Sequence, residues 1–387
     1  MIYLDANATT PARKEVVTAV VRALEAGFGN ASSVHSIGQR ARALIDGARE
    51  QCAAALGTDE RDLVFTSGGT ESDALAIRGA VSGARAIHGA APAKLATRPR
   101  VILTAVEHPA VQGACDQLGK GGVEVVRIAV DAEGCLDLDA LAAALAVPGT
   151  ILCSAMAANN ETGVLFPIER IGELCRRHGV LFHVDAVQAA GKVALRLSDL
   201  PVDYASVSGH KLQGPQGVGL LWVRRGAPLA AQQSGGHQER GRRAGTENVP
   251  AVAGLGIALE LATAELPHTG PRLASLRDQL QASILRIDGV QVHGGTGPRL
   301  PNTLCASFAG CEGETLLAAL DLEGICVSTG AACASGSLEP SPVLLAMGVP
   351  AERARGALRF SLFAGNTSAE IERASAVLPG LVARCRG

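Results

Sequence analysis

The residue best placed to do chemistry in this sequence is a lysine at the end of an apolar run. Val202 to Val207 has the hydrophobic, β-branched character of a short buried strand, Ser208-Gly-His-Lys211 ends it, and Gly214, Pro215 and Gly217 turn the chain into a second apolar run that reaches Trp222. Burial without a carboxylate partner lowers an amine's pKa and frees its lone pair, which suits Lys211 to condense with an aldehyde as a Schiff base. Most lysines are solvated surface residues. Of the five here, however, Lys14, Lys94, Lys120 and Lys192 sit in helical, Gly-rich or loop contexts, and Lys211 is framed by a hydroxyl, a glycine and an imidazole.

Other strand ends carry complementary groups. Thr66-Ser-Gly-Gly-Thr-Glu-Ser72 joins a strand to a helix, so backbone N–H groups near Gly69 and Thr70 can approach an anion at the positive end of the helix dipole. Such a turn also serves ordinary connection geometry, and it is neither a Walker loop nor a clean dinucleotide fingerprint. Asp185, in Phe182-His-Val-Asp185-Ala-Val-Gln188, ends a strand buried on both faces. A buried carboxylate needs a positive partner, for which a pyridinium nitrogen would serve; capping of a following helix is the alternative. His108, in Val106-Glu-His-Pro109, could stack on a planar heterocycle or be an ordinary core or surface histidine. Positions 69 to 70, 108, 160, 185 to 188 and 208 to 211 thus offer phosphate donors, a flat ring, an amide, a carboxylate and an amine along one sheet edge, matching what pyridoxal 5'-phosphate requires.

The elements that must position these groups alternate. Helices are predicted from Pro11 to Ala26 and Ile37 to Leu56. Strands at Asp62–Thr66, Arg100–Val106, Val123–Ile128, Thr150–Ser154 and Val180–Val184 then alternate with helices at Thr70–Val81, Pro109–Leu118, Leu138–Leu145 and Pro167–His178. This implies an α/β fold with a mostly parallel sheet, whose ligands bind at the carboxyl ends of the strands. A long helix from about Pro250 leads to strands near Gln291, at Asn302–Phe308 and near Arg359, a helix at Glu314–Leu322, and a last helix opened by the capping box Thr367-Ser-Ala-Glu370. Residues 1–12 are expected to belong with a small C-terminal domain, 256–387, and residues 13–255 to form the large domain. Ser82 to Pro99 reads as a surface excursion.

Composition excludes several classes of function. A net charge of −2 with interspersed signs provides no basic stripe for nucleic acid or an anionic membrane. The N-terminus lacks a signal-type segment and no stretch reads as uniformly apolar over the ~18 residues of a membrane span, so a cytoplasmic protein is expected. The ten cysteines show neither Cys-x-x-Cys spacing nor a His partner at metal-ligand spacing, so no metal site is expected. Cys333, in Ser328-Thr-Gly-Ala-Ala-Cys-Ala-Ser-Gly-Ser337, lies among small residues and glycines, the composition of a mobile loop.

Ala158-Asn-Asn-Glu-Thr-Gly163, His183-Val-Asp-Ala-Val-Gln188, Ser208-Gly-His-Lys211, Gly235-Gly-His-Gln-Glu-Arg-Gly-Arg-Arg-Ala-Gly-Thr-Glu-Asn248 and the Cys333 stretch occur in order, between Tyr3-Leu-Asp-Ala-Asn-Ala-Thr-Thr-Pro11 and Arg359-Phe-Ser-Leu362. Together they resemble the NifS/IscS-type cysteine desulfurases of the class-V aminotransferase group, closest to the NifS branch. The resemblance implies fold type I of the pyridoxal-phosphate enzymes, with a seven-stranded type of sheet and a smaller α/β domain. It implies that Lys211 carries the cofactor, Asp185 keeps its pyridine nitrogen protonated, Gln188 contacts its ring oxygen and His108 stacks on its ring and moves protons at the substrate sulfur. Gly69, Thr70, Ser208 and His210 would bind its phosphate, with Thr246 reaching the phosphate of the other subunit of a homodimer. Asn160 and Arg359 would hold the L-cysteine carboxylate. Cys333 would take the sulfur as a persulfide for an acceptor or Fe–S scaffold protein, leaving alanine.

Thr329, Ala331 and Ala334 depart from the Ser-Ser-Gly-Ser-Ala-Cys-Thr-Ser pattern common around the family's nucleophile, and the sequence stops at Ala383-Arg-Cys-Arg-Gly387, short of the tail by which IscS-type members dock a scaffold. No contact of that type is expected there. A selenocysteine lyase would look similar but needs no protein thiol, and an aminotransferase has no use for Cys333. A nucleotide-binding protein leaves Lys211, Asp185 and His108 without a role, and an inactive scaffold is disfavoured by the filled catalytic positions.

Overall fold

The computed structural model describes residues 1–87, 98–329 and 339–386, so Cys333 lies outside the described residues, as does most of the expected excursion between Ser82 and Pro99. The strands are β1 (Ile2–Tyr3), β2 (Leu63–Thr66), β3 (Arg100–Thr104), β4 (Glu124–Ile128), β5 (Thr150–Met156), β6 (Leu181–Asp185), β7 (Tyr204–Ser208), β8 (Gly219–Val223), β9 (Val290–His293), β10 (Thr303–Phe308), β11 (Ile325–Cys326) and β12 (Ala357–Ser361). Seven of them form one sheet in the order β2-β8-β7-β6-β5-β3-β4. Strand β8 runs antiparallel to both its neighbours, and the pairs from β7 to β4 are parallel.

Every residue of β2, β3, β7 and β8 is buried, as expected where helices cover both faces of a sheet. Register then fixes the working edge. Met156 pairs with Asp185, Asp185 with Ser206, and Ser208 with Gly219, which also pairs with Thr66. The ends of β2, β5, β6 and β7 therefore lie side by side.

Three antiparallel strands, β12-β10-β9, form a second sheet. The N-terminal segment is stitched into this region: β1 pairs with β11 and Asp5 bridges to Ser361. Helix Val249–Ile284 joins the two regions, with Leu255, Ala258 and Leu259 in the core under the large sheet and Leu273, Leu276, Leu280 and Ile284 in a second core with Leu4, Phe308 and Phe360. We propose that the division into large and small domains lies within this helix, between Ala262 and Leu273.

Two sequence expectations need correction. The first helix begins at Lys14, three residues later than Pro11, because Thr10 and Arg13 donate their backbone N–H groups to His210 and Gln213. Helix Val249–Ile284 is also apolar enough over part of its length to cross a membrane by composition. That apolarity serves packing, since its first half is buried against helices Lys14–Ala26 and Ser36–Leu56. The expected capping box forms: Thr367 N–H donates to Glu370 Oε2 (2.9 Å) and Glu370 N–H to Thr367 Oγ1 (3.3 Å).

Candidate active site

A cavity of about 350 Å³ opens at the carboxyl edge of the large sheet, lined by Gly69, Thr70, His108, Asn160, Asp185, Gln188, Ser208, His210, Lys211 and Arg359. These ten are the within-subunit cofactor and substrate residues expected from the sequence. Thr246 is exposed and does not line this cavity.

Lys211 is placed by a single helical turn, Gly209–Lys211, that follows β7 directly. Its Nζ donates to the carbonyls of Asn7 and Ala8, each at 2.6 Å. The N-terminal segment is thus a wall of the site, a role invisible in its own sequence.

The phosphate end is built from small residues. The helix that starts at Gly69 follows β2, and a Cβ added to Gly69 would sit 2.8 Å from Val187 Cγ2, so a side chain there would have to displace the neighbouring strand connection. Ser67, Gly68, Gly69, Thr70, Ser208, His210 and Thr9 surround an adjoining hollow. Burial first, then the charges of Lys211 and Lys192, pushes the His210 pKa down to about 4, so the ring is neutral near pH 7. A neutral ring can both donate and accept, and its Nδ1 lies 3.2 Å from Thr9 Oγ1.

At the opposite end the site is acidic and dry. Asp185 is 6% exposed, its Oδ1 accepts from Val187 N–H at 2.9 Å, and among the described residues no lysine or arginine pairs with it. Burial foremost, then the charge of Asp73, pushes its pKa up to about 6. Asp73, which no sequence pattern singles out, lines the same cavity; its buried Oδ1 has no hydrogen bond but lies 3.5 Å from His183 Nε2. Glu107 lies nearby, accepting from Thr104 Oγ1 and Met156 N–H while its Oε2 has no partner; burial and the charges of Asp185 and Asp73 push its pKa well up. A buried Asp185 carboxylate with no lysine or arginine partner among the described residues, a small-residue cup and an amine between them fit pyridoxal phosphate.

A consequence for stability follows. An aspartate whose folded pKa stands above its unfolded value favours folding most fully below the unfolded pKa, near 4, and that contribution is lost as pH rises through about 6. Cofactor-free Asp185→Asn is therefore expected to melt a few °C above cofactor-free wild type at pH 8, with the difference vanishing toward pH 4. Thermal melts at both pH values check this; an Asn variant that is less stable at pH 8 would show that Asp185 already has its counter-charge.

His108 caps helix Pro109–Lys120, its Nδ1 accepting from Ala110 N–H at 3.1 Å, which leaves Nε2 as the nitrogen that can carry a transferable proton. Arg359, on β12 and 2% exposed, donates from Nη2 to Asp5 Oδ1 (2.7 Å) and from Nη1 to the Asn160 carbonyl (3.2 Å). Its Nε is buried without a partner. These bonds use two of the five N–H donors of the guanidinium, which leaves others for an incoming carboxylate.

The aminotransferase class-V family model matches residues 2–374. A cysteine desulfurase of Trichormus azollae is 47% identical over 387 residues, covering 100% of this chain and 94% of its own. A cysteine desulfurase IscS of Methanosarcina thermophila is 44% identical over 385 residues, covering 100% and 93%. The solved structure of a NifS-like protein superposes with a TM-score of 0.90 at 34% identity over 99% of both chains.

Proposed function

The chain belongs to the class-V aminotransferase family and is a pyridoxal-phosphate-dependent cysteine desulfurase, and from that premise we propose how its own residues carry out the reaction. The observation that carries the reading is the convergence of Lys211, Asp185 and Arg359 on one cavity. When bound, the cofactor supplies an electron sink for negative charge at the substrate Cα.

Lys211 would hold the cofactor through its aldehyde and, with its amine released, would be the base that takes the substrate Cα proton. Asp185, ionised, would face the pyridine nitrogen and keep a proton on it. Gly69, Thr70, Ser208 and His210 would hold the phosphate, Gln188 the ring oxygen, and His108 would hold the ring and move protons at the substrate sulfur through Nε2. Arg359 and Asn160 fix the carboxylate of L-cysteine. The Cys333 thiolate attacks the substrate sulfur: an S–S bond forms, the C–S bond breaks, and protonated product leaves as alanine. The persulfide on Cys333 then passes to an acceptor protein. Thr246 of the partner in a homodimer completes the phosphate site, and the protein works in the cytoplasm.

The cysteines of the described residues support this choice of nucleophile. Cys52, Cys115, Cys153, Cys175, Cys305 and Cys311 are buried, and burial pushes the Cys52 and Cys115 thiols up to about 12. Neither these nor Cys135, Cys326 and Cys385 line the cavity.

The test is the visible spectrum of the purified protein before and after L-cysteine, with alanine and protein persulfide assayed in the same sample. A band that shifts, with equal alanine and persulfide in the first turnover, is expected. A shifting band without alanine would redirect the reading to selenocysteine or another amino acid.

A further inference from the structure

Lys192 is unremarkable in the sequence, yet its amine sits behind the cavity. A succession of turns from Ala186 to Val193 places Gln188 and Lys192 one turn apart, with Lys192 N–H donating to the Ala189 carbonyl at 3.0 Å. From there Lys192 Nζ donates to Gln188 Oε1 at 2.5 Å and to Asn7 Oδ1 at 3.2 Å. Both acceptors are neutral amides, and among the described residues Lys192 has no carboxylate partner. Burial, then the charges of Lys211 and Arg359, holds its pKa well below that of an ordinary lysine. A half-buried amine beside two other cationic groups is a costly arrangement for surface decoration.

The hydrogen bonds show what it does. Lys192 Nζ donates to Gln188 Oε1 while the Gln188 NH₂ faces the Asn7 carbonyl, which can only accept, and the two contacts together set the amide. That NH₂ donates one hydrogen to the Asn7 carbonyl at 3.0 Å, the same carbonyl that receives Lys211 Nζ, and has a second hydrogen left for the cavity that Gln188 lines. Asn7 is fixed in the same way. Its Oδ1 takes Lys192 and Asn302, so its Nδ2 must donate, to the Asn160 carbonyl (3.0 Å) and Thr303 Oγ1 (2.8 Å).

We propose that Lys192 is a positioning residue of the active site, which locks the Gln188 amide with its NH₂ toward the cofactor ring oxygen and pins Asn7, and with it the carbonyl that holds Lys211. This rests on the assignment of Gln188 to the ring oxygen. It accounts for a half-buried amine without a carboxylate partner: removing it takes the Lys192 donor from Gln188 Oε1 and one of two donors from Asn7 Oδ1, which keeps Asn302.

The test is a double-mutant cycle read on the pH midpoint of the cofactor's visible band in the loaded enzyme, with K192M, Q188L and the double variant. A donor stabilises the anion of the ring oxygen, so its loss raises the midpoint. K192M and Q188L are each expected to raise it by about 0.7 pH unit, with the double variant no further shifted than Q188L, and K192M is expected to lower kcat about tenfold with a smaller change in KM. If K192M does not fold, K192Q, which keeps one N–H donor, enters the same cycle and is expected to give a smaller shift of the same sign. A midpoint unchanged in the lysine variant while Q188L shifts it, or additive shifts, would overturn the role of Lys192 and leave the cofactor reading standing. A wild-type protein without a titrating band would overturn the cofactor reading itself, and this inference with it.

Discussion

Lys211→Ala is expected to abolish both the visible band of the bound cofactor and alanine production, with turnover falling by about 10⁴-fold or more. No neighbouring group can take over. Lys192, the other lysine near the cavity, is committed to the oxygens of Gln188 and Asn7 and is not among the residues lining the cavity. The variant should remain folded, because Lys211 contributes hydrogen bonds to two carbonyls and Asn7 O keeps its bond from Gln188. Lys211→Arg is expected to fail as completely, since a guanidinium that stays protonated cannot condense with an aldehyde. A Lys211→Ala enzyme that releases alanine within about tenfold of wild type would remove the central assignment on which the cavity reading depends.

The second large effect separates cofactor chemistry from sulfur transfer. Cys333→Ala is expected to keep the visible band and its response to L-cysteine, because each residue assigned to the cofactor within the subunit lies elsewhere in the chain. Persulfide on the protein should disappear, and alanine release should fall by about 10²-fold or more, since the C–S bond then lacks an attacking thiolate. The six buried cysteines are embedded in the core and cannot reach a substrate in the cavity, and the remaining three do not line it. Mass spectrometry of the protein after a single turnover, wild type against Cys333→Ala, reads the outcome directly. A Cys333→Ala protein that still acquires persulfide at the wild-type rate would move the nucleophile to another residue.

Much of the site is legible in the amino-acid order because its groups lie at strand ends. Ser208-Gly-His-Lys211, Asp185 and Gly69-Thr70 each follow an apolar run, and in a parallel α/β sheet such positions converge on one edge whatever the details of packing. The alternation of apolar runs and amphipathic helices likewise determines the sheet and its helices to within a few residues. Helix starts are the weaker part. The first helix is set by bonds from Thr10 and Arg13 to residues some 200 positions away, which no local pattern records.

What only the tertiary structure decided is how the site is wired. Asp73, Glu107 and Lys192 carry no motif that distinguishes them from surface residues of the same type, and Asn7, though inside the Tyr3–Pro11 stretch, shows no role there; each acquires its role from partners distant in sequence. Asn7 joins Gln188, Lys192, Lys211, Asn302 and Thr303, and no spacing within the N-terminal segment could foretell that. Sequence patterns encode periodicity along the chain, which places residues at strand ends, whereas burial and hydrogen-bond satisfaction depend on which chain segments meet. The sequence therefore identified the reacting groups from their types and strand positions, and the fold alone decided which neutral amides, buried carboxylates and second amine hold them in place.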